Sequence, residues 1–203
     1  MAKIKNFKCD LEKYYLVEYG QTRPSSVKIF KLWVTNFGLH CVACYRFGQY
    51  SDRTYKYNKL LGLIPKLVHT VLNYVIRFIH HVNIEATEIG PGFYIGHVGT
   101  IYIGPTTIGS NVSLSHNTTI GIGHSANSVG IPILGDNIWI GTGSIISGAI
   151  TIGNNATITS GCVLSRSIPD NSLAVGNPGR VVLNEYDNSN LLVWQNPLKQ
   201  LSE

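Results

Sequence analysis

The fold is decided by residues 133–164, which read ILGDNIWIGTGSIISGAITIGNNATITSGCVL. An aliphatic residue recurs at every sixth position of this stretch, at Leu134, Ile140, Ile146, Ile152, Ile158 and Leu164. A period of six matches neither the turn of an α-helix, about 3.6 residues, nor the alternation of a strand. It predicts a parallel β-helix, in which three short strands make a triangular turn of about eighteen residues and the aliphatic side chains stack.

The same spacing extends the coil to residues 84–181, with two irregular steps. The step from Ile101 to Ile108 is seven residues, which predicts a slip in register near His97. The gap from Ile120 to Leu134 is fourteen residues instead of twelve, so we expect a loop over 121–130 to bulge from the coil. Both irregularities carry histidine, and loops on a rigid repeat scaffold commonly carry function.

The chain divides into three regions by pattern and charge: a helical region (1–82), the coil (83–181) and a C-terminal tail (182–203). The first region has 13 Lys and Arg against 4 Asp and Glu, a net charge of 13 − 4 = +9. This excess favours an anionic partner, such as a membrane surface contacted peripherally, or it forms a solvated helical face. Nucleic acid is not expected as a partner, because no binding motif accompanies the charge.

The spacing of apolar residues in the first region predicts three helices. Residues 10–19 form the first, and apolar residues at helical spacing place the second over 27–45. A polar link over 51–58 precedes a third helix, over 60–79, whose broad apolar face is interrupted by Lys, Arg and His and therefore does not read as a membrane span. Pro65 starts or kinks this helix. We expect it to cover the open end of the coil or to pack against a neighbouring subunit.

The four cysteines and the lack of a secretory leader predict a cytoplasmic location, at the inner face of the membrane if the basic region contacts lipid. Cys41 and Cys44 form a C-x-x-C motif, but it lies in a helical pattern without a second pair, so no metal is expected. Cys162 falls at a stacked position of the coil, which indicates a structural role.

Three segments carry a resemblance to a known family. Residues 89–104 (IGPGFYIGHVGTIYIG) resemble the segment that holds the catalytic histidine of the hexapeptide-repeat acyltransferases, which use acetyl-CoA. Residues 165–180 (SRSIPDNSLAVGNPGR) resemble their closing segment, which lies against CoA, and residues 10–14 (DLEKY) resemble their N-terminal helix. The resemblance implies a mainly β fold, a left-handed parallel β-helix preceded by an N-terminal α-helical region. It is strongest to the serine acetyltransferase branch, and closest there to capsular and exopolysaccharide O-acetyltransferases.

Acetyl transfer from a thioester to a hydroxyl needs a base and a hydrogen-bond donor for the developing oxyanion. Histidine suits the first role because its free pKa lies near 6.5. The resemblance makes His97 this base, and a backbone N–H of the coil would serve the oxyanion. In the family an acidic residue one turn earlier orients the imidazole. Counting back reaches Val82, Asn83 or Glu85, of which we choose Glu85, with Glu88 as the second choice.

The acceptor pocket is expected around His116, which stands where the serine enzymes often carry a histidine. Asn117, Tyr94 and His124 would complete this pocket. His124 is also the alternative base, because the galactoside- and maltose-type acetyltransferases carry theirs in a bulging loop, although the proline that usually follows it is absent here.

Gly96 bears on the identity of the acceptor. In serine acetyltransferases an Asp stands directly before the catalytic histidine and meets the amino-acid acceptor, and a second histidine precedes the proline that re-enters the coil. This chain has Gly96 and Ile131 at those places. A desolvated ammonium without a countercharge is unfavourable. We therefore expect a hydroxyl of a sugar or polysaccharide precursor as acceptor, with serine as the alternative.

The cosubstrate acetyl-CoA is expected to bind along the later turns and the closing segment. Gly143, Ser160 and Gly161 are small enough for the pantetheine arm to approach the backbone. Arg166 and Arg180 would face the phosphates, where guanidinium groups make charge-assisted hydrogen bonds. Gly176 and Pro178 belong to the closing motif. Family coils form homotrimers with active sites between subunits, so two chains would contact CoA.

Two rival functions use the same coil. A zinc enzyme of the γ-carbonic-anhydrase type would bind metal through His97, His116 and His124. Their spacings of nineteen and eight residues differ from the close second pair of that family. A scaffold without catalytic activity is the other rival, which the closing motif and the histidine at the register slip disfavour.

Overall fold

The computed structural model describes residues 2–125 and 128–192, in which four α-helices precede a parallel β-helix of about five turns. This confirms the predicted fold class. The helices are α1 (Ala2–Tyr19), α2 (Ser26–Thr35), α3 (Phe37–Tyr57) and α4 (Lys59–His80). The strands are β1 (Val82–Ile84), β2 (Glu88–Ile89), β3 (Tyr94–Ile95), β4 (Ile101–Ile103), β5 (Thr107–Ile108), β6 (Ser113–Leu114), β7 (Thr119–Gly121), β8 (Gly123–Ser125), β9 (Ser128–Gly130), β10 (Ile133–Leu134), β11 (Trp139–Ile140), β12 (Ile145–Ser147), β13 (Thr151–Ile152), β14 (Thr157–Ile158), β15 (Val163–Leu164), β16 (Leu173–Val175) and β17 (Arg180–Leu183). Residues 193–203 of the predicted tail lie outside the described residues.

The coil has three parallel faces, whose strand orders are β1-β4-β7-β12-β15, β2-β5-β10-β13 and β3-β6-β11-β14-β16. The predicted aliphatic stack forms the core, as the column Ile103, Ile120, Ile146 and Leu164 shows: each pairs with the next, and all are fully buried. The irregular step after Ile120 is an antiparallel hairpin of β8 and β9, which leaves the coil as predicted.

One corner of the coil is held by a ladder of asparagines. Asn111, Asn137, Asn155 and Asn171 all have φ between 54° and 56°, the left-handed region that Asn tolerates better than most residues. Their side-chain amides are hydrogen-bonded from turn to turn at 3.0, 2.9 and 2.8 Å. This corner therefore keeps the turns in register.

Helices α1 and α3 cover the first turn of the coil, a role that the sequence assigned to the third predicted helix. Asp10 pairs with Arg46 at 2.8 Å, and both side chains are buried. Asp10 also accepts the backbone N–H of Phe93 at 2.9 Å, while Arg46 donates to the carbonyls of Ile89 and Gly90 at 2.6 Å each. The first turn has no preceding strands to bond to, so these buried side chains satisfy its backbone groups.

The helix boundaries differ from those predicted. Asn36 divides the second predicted helix into α2 and α3, and its side chain accepts the backbone N–H of Leu39 at 2.9 Å. The prediction of a polar link over 51–58 is wrong, because α3 continues to Tyr57 and only Asn58 separates it from α4. Polar residues on the exposed side of a helix resemble the composition of a loop, so the sequence pattern predicted a loop where the helix continues.

Candidate active site

His97 lies at a corner of the coil between β3 and β4, with its side chain exposed. The seven-residue step is accommodated there by two residues with positive φ, Gly99 at 132° and Thr100 at 39°. One turn later, His116 occupies the same corner between β6 and β7. The backbone N–H of Asn117 donates to the carbonyl of Gly99 at 2.8 Å and joins the two corners.

The structure brings together His97 and His116, two of the predicted site residues. Their ring centroids are 6.1 Å apart and their planes are inclined by 74°. The Nδ1 atom of His116 is buried and has no hydrogen-bond partner in the described part of the chain. Buried polar atoms in native proteins are normally paired with a protein group, a ligand or water, so this nitrogen is available to a group outside the single chain. Asn117 is exposed beside it.

Tyr94 on β3 contacts helix α1 through the ring of Tyr14. Its ring centroid lies 4.6 Å from that of Tyr14. Burial and, to a lesser extent, the charge of Glu18 raise the pKa of the Tyr94 phenol to about 12. Sequence reasoning missed Glu18, which accepts a hydrogen bond from Nδ2 of Asn36 at 3.1 Å. The only signal in the sequence was its position one helical turn after Tyr14.

Glu85, the first acidic choice, makes no hydrogen bond or ion pair with His97 in the described part of the chain. Glu85 instead accepts a hydrogen bond from Nδ2 of Asn83 at 2.9 Å, and it lines a cavity of about 300 Å³ between α3, α4 and β1. Glu88 is exposed on β2. The role of Glu85 in orienting His97 stays a prediction.

His124 lies on the hairpin, exposed and paired with Val129. Within residues 2–125 and 128–192, no ring contact joins it to His97 or His116. No group of three His, Cys, Asp or Glu side chains in those ranges is placed to hold a metal ion. Within one chain, His124 therefore stands apart from the pair formed by His97 and His116.

The corner that carries His116 continues into the later turns as a column of small residues. The N–H of Gly143 donates to the carbonyl of His116 at 3.2 Å, and the N–H of Gly161 donates to Thr142 at 2.7 Å. Both glycines have φ of 72°, and a Cβ at Gly161 would meet no atom within 4 Å. Ser160 is exposed beside them. An extended chain could therefore approach the backbone here, and the binding of the pantetheine arm along it stays a prediction.

The closing segment folds back onto the coil next to this column. The N–H of Gly179 donates to the carbonyl of Val163 at 2.7 Å, and a Cβ at Gly179 would lie 2.8 Å from Sγ of Cys162, so no larger residue fits. Gly176 turns the chain with φ of 88°. A cavity of about 310 Å³ is lined by three of the predicted CoA-binding residues: Arg166, Pro178 and Arg180. Two guanidinium groups at one cavity fit the phosphates of CoA.

No protein-family model matches the chain, whereas individual proteins of known sequence and structure do. The serine acetyltransferase of Bacillus pumilus is 32% identical over 162 residues, which cover 79% of this chain and 70% of the relative. The chain spans only 25% and 31% of the length of two longer serine acetyltransferases from Arabidopsis thaliana.

Solved structures share the fold of most of this chain. Soybean serine acetyltransferase complexed with serine matches with a TM-score of 0.67 and 26% identity, over 89% of this chain and 70% of that one. The serine acetyltransferase of Brucella abortus in complex with coenzyme A matches with a TM-score of 0.65 and 23% identity, over 89% and 68% of the two chains, which shows the shared fold.

The relatives above are named serine acetyltransferases, so the comparisons support that branch and give no support to the capsular and exopolysaccharide branch. The chain is 32% identical to the Bacillus pumilus enzyme over 70% of that relative's length. Helices also precede the coil in this chain, as the resemblance implied. The chain belongs to the serine acetyltransferase family.

Proposed function

We propose that this chain is an acetyl-CoA-dependent O-acetyltransferase whose acceptor is the hydroxyl of L-serine. The observation that carries the proposal is the corner at which His97 and His116 meet, because it continues as open glycine backbone toward the cavity of Arg166 and Arg180. The names of the relatives favour serine over the sugar acceptor expected from the sequence.

In this proposal His97 is the general base. Its exposed imidazole takes the proton of the acceptor hydroxyl while the oxygen attacks the thioester carbonyl carbon. The carbon–sulfur bond then breaks, and the leaving thiolate of CoA takes this proton from the imidazolium of His97. A backbone N–H of the glycine-rich corner would donate to the carbonyl oxygen as it gains negative charge. Glu85, bonded to Asn83, is proposed to orient His97 once the subunits assemble.

Serine also needs a partner for its ammonium group, and Gly96 cannot supply one. A Cβ at Gly96 would lie 3.3 Å from a ring carbon of Tyr94, so a larger residue would crowd that ring. We propose that Glu18 supplies the missing carboxylate from α1, since its charge already acts on Tyr94. An acidic side chain beside the pocket would offset the desolvation of the ammonium group.

A sugar hydroxyl is the second candidate acceptor, and Gly96 is the observation that favours it. A sugar carries no ammonium group, and neutral donors and acceptors would suffice to hold it. Tyr94, His116 and Asn117 lie at the corner in question, while His124 would reach it only from the hairpin.

The donor site is proposed to lie along Gly143, Ser160 and Gly161, with the phosphates at Arg166 and Arg180. We further propose a homotrimer, in which the neighbouring subunit completes the site around Nδ1 of His116. Light scattering would test the assembly, because a trimer should have about three times the chain mass of 22.3 kDa.

The acceptor is tested by measuring thiol release from acetyl-CoA with L-serine, nucleotide sugars and capsular oligosaccharides. L-alanine is the matched control, because it keeps the ammonium and carboxylate groups and lacks the hydroxyl. Turnover with L-serine and not L-alanine supports the proposal. Turnover with a glycan alone establishes the second candidate, and thiol release with none of these acceptors contradicts both.

A further inference from the structure

Helix α4 turns a narrow face of small and polar residues with one isoleucine toward the protein, and its broad apolar side toward solvent. The half-buried or buried residues recur at helical spacing, as Gly62, Pro65, His69, Asn73, Ile76 and His80. Twelve large hydrophobic residues of the same helix are exposed, Leu60 by 81% and Phe78 by 74% among them. A soluble helix normally has the opposite arrangement, so this surface is built to be covered.

Close contacts fix this orientation. A Cβ at Gly62 would lie 2.2 Å from Cα of Tyr55, and a Cβ at Gly48 would lie 2.4 Å from Nε2 of His69. Helices α3 and α4 therefore approach backbone to backbone, and α4 cannot rotate its apolar face inward without steric clash. The ring of His80 stacks on Phe37 at 4.9 Å and holds the far end of α4.

The length of α4 permits a membrane contact along its whole axis. By length and composition the helix is apolar enough to cross a bilayer, with a mean hydropathy of 1.2, and almost none of its apolar stretch is buried. However, Lys66 bridges to Asp52 of α3 at 2.8 Å, and the helix leads directly into the coil. A helix held sideways against a folded body lies on a membrane surface rather than across it.

The charges identify the surface. Neither α2 nor α4 contains Asp or Glu. Lys59 and Arg77 share one edge of the apolar face, because eighteen residues are about five helical turns. Lys66 lies on the same edge, but its charge is paired with Asp52. Helix α2 adds Lys28 and Lys31 beside exposed Phe30. Two copies of the chain apposed through these helices would bring like charges together, whereas anionic phospholipid would neutralise them.

We propose that α4 docks the protein on an anionic phospholipid surface, with its apolar face among the acyl chains and Lys59 and Arg77 at the headgroups. The docking is independent of acetyl transfer, because it involves no residue of the proposed active site.

The test is flotation of the full chain with phosphatidylcholine vesicles that contain or lack phosphatidylglycerol. The wild type should float with the anionic vesicles and at least about fivefold less with the neutral ones. The variant Ile64→Gln/Leu67→Gln/Val71→Gln should lose at least about tenfold of the anionic binding. Lys59→Gln/Arg77→Gln should lose several-fold, and added salt should weaken binding further.

The matched control is Thr70→Gln, which adds the same side chain at an exposed polar position of α4 and should bind as the wild type. Unchanged circular dichroism establishes that each variant is folded. Binding to neither vesicle would overturn the proposal. The proposal would also be overturned if the wild type does not bind vesicles and the triple variant changes the oligomeric state. That result would show that a second copy of the chain covers α4.

Discussion

The imidazole rings of His97 and His116 lie 6.1 Å apart, edge to face, at one corner of two successive turns of the coil. The hydrogen bond from Asn117 to Gly99 at 2.8 Å ties these turns together, so the repeat itself sets the distance between the rings. His97 is exposed, whereas Nδ1 of His116 is buried without a partner in the described structure. This difference in exposure supports the proposed roles, proton removal at His97 and acceptor positioning at His116.

The donor site predicts that Arg180→Gln raises the KM for acetyl-CoA at least about tenfold, because a charge-assisted hydrogen bond to phosphate is lost. The matched control is Arg23→Gln, an exposed arginine in the loop between α1 and α2. Initial rates over a range of acetyl-CoA concentrations give both values. An unchanged KM for Arg180→Gln would mean that this side chain is only a solvated surface residue.

The acceptor site predicts that Glu18→Gln raises the KM for L-serine about tenfold or more and leaves the KM for acetyl-CoA unchanged. The substitution keeps the hydrogen-bonding shape and removes the charge that would pair with the ammonium group. Glu185→Gln, an exposed residue after β17, is the control. If both variants have the wild-type KM for serine, the ammonium group is bound elsewhere.

Burial lowers the pKa of Lys13 to about 7, while its Nζ donates to Gly92 at 3.0 Å and Asn111 at 2.7 Å. In the unfolded chain lysine titrates near 10.4. Between pH 7 and 9 the unfolded chain therefore binds a proton that the folded chain lacks, so the free energy of unfolding should rise with pH, by at most about 1.4 kcal/mol per pH unit. Above pH 9 the buried cysteines oppose this, since burial raises the pKa of Cys41 to about 12.

Urea denaturation at pH 7, 8 and 9 checks this sign. Lys13→Met should flatten the rise, and Lys8→Met, an exposed lysine of the same helix, should keep it. Equal slopes in the two variants would show that Lys13 keeps its proton in the folded protein.

The six-residue repeat was enough to predict the coil, its buried aliphatic column and a bulge over 121–130, because each depends on local spacing. That the bulge is an antiparallel hairpin came from the structure. The grouping of His97 with His116 also follows from the repeat once the register slip is placed. The position of Glu18 could not be predicted from the repeat, because it depends on how α1 packs on the first turn through Tyr14. The outward apolar face of α4 was visible as a pattern, but its direction required the contacts of Gly48 and Gly62 with the facing helix.

The central claim is that His97 removes the proton of a serine hydroxyl, and the rate of thiol release from acetyl-CoA with L-serine tests it most directly. His97→Asn should lower kcat by about 10²–10⁴-fold with an unchanged circular dichroism spectrum, because only the base is lost. His124→Asn should keep most of the activity, since this residue lies on the hairpin outside the corner. Near-normal turnover by His97→Asn together with an inactive His124→Asn would contradict the account and place the base on the hairpin.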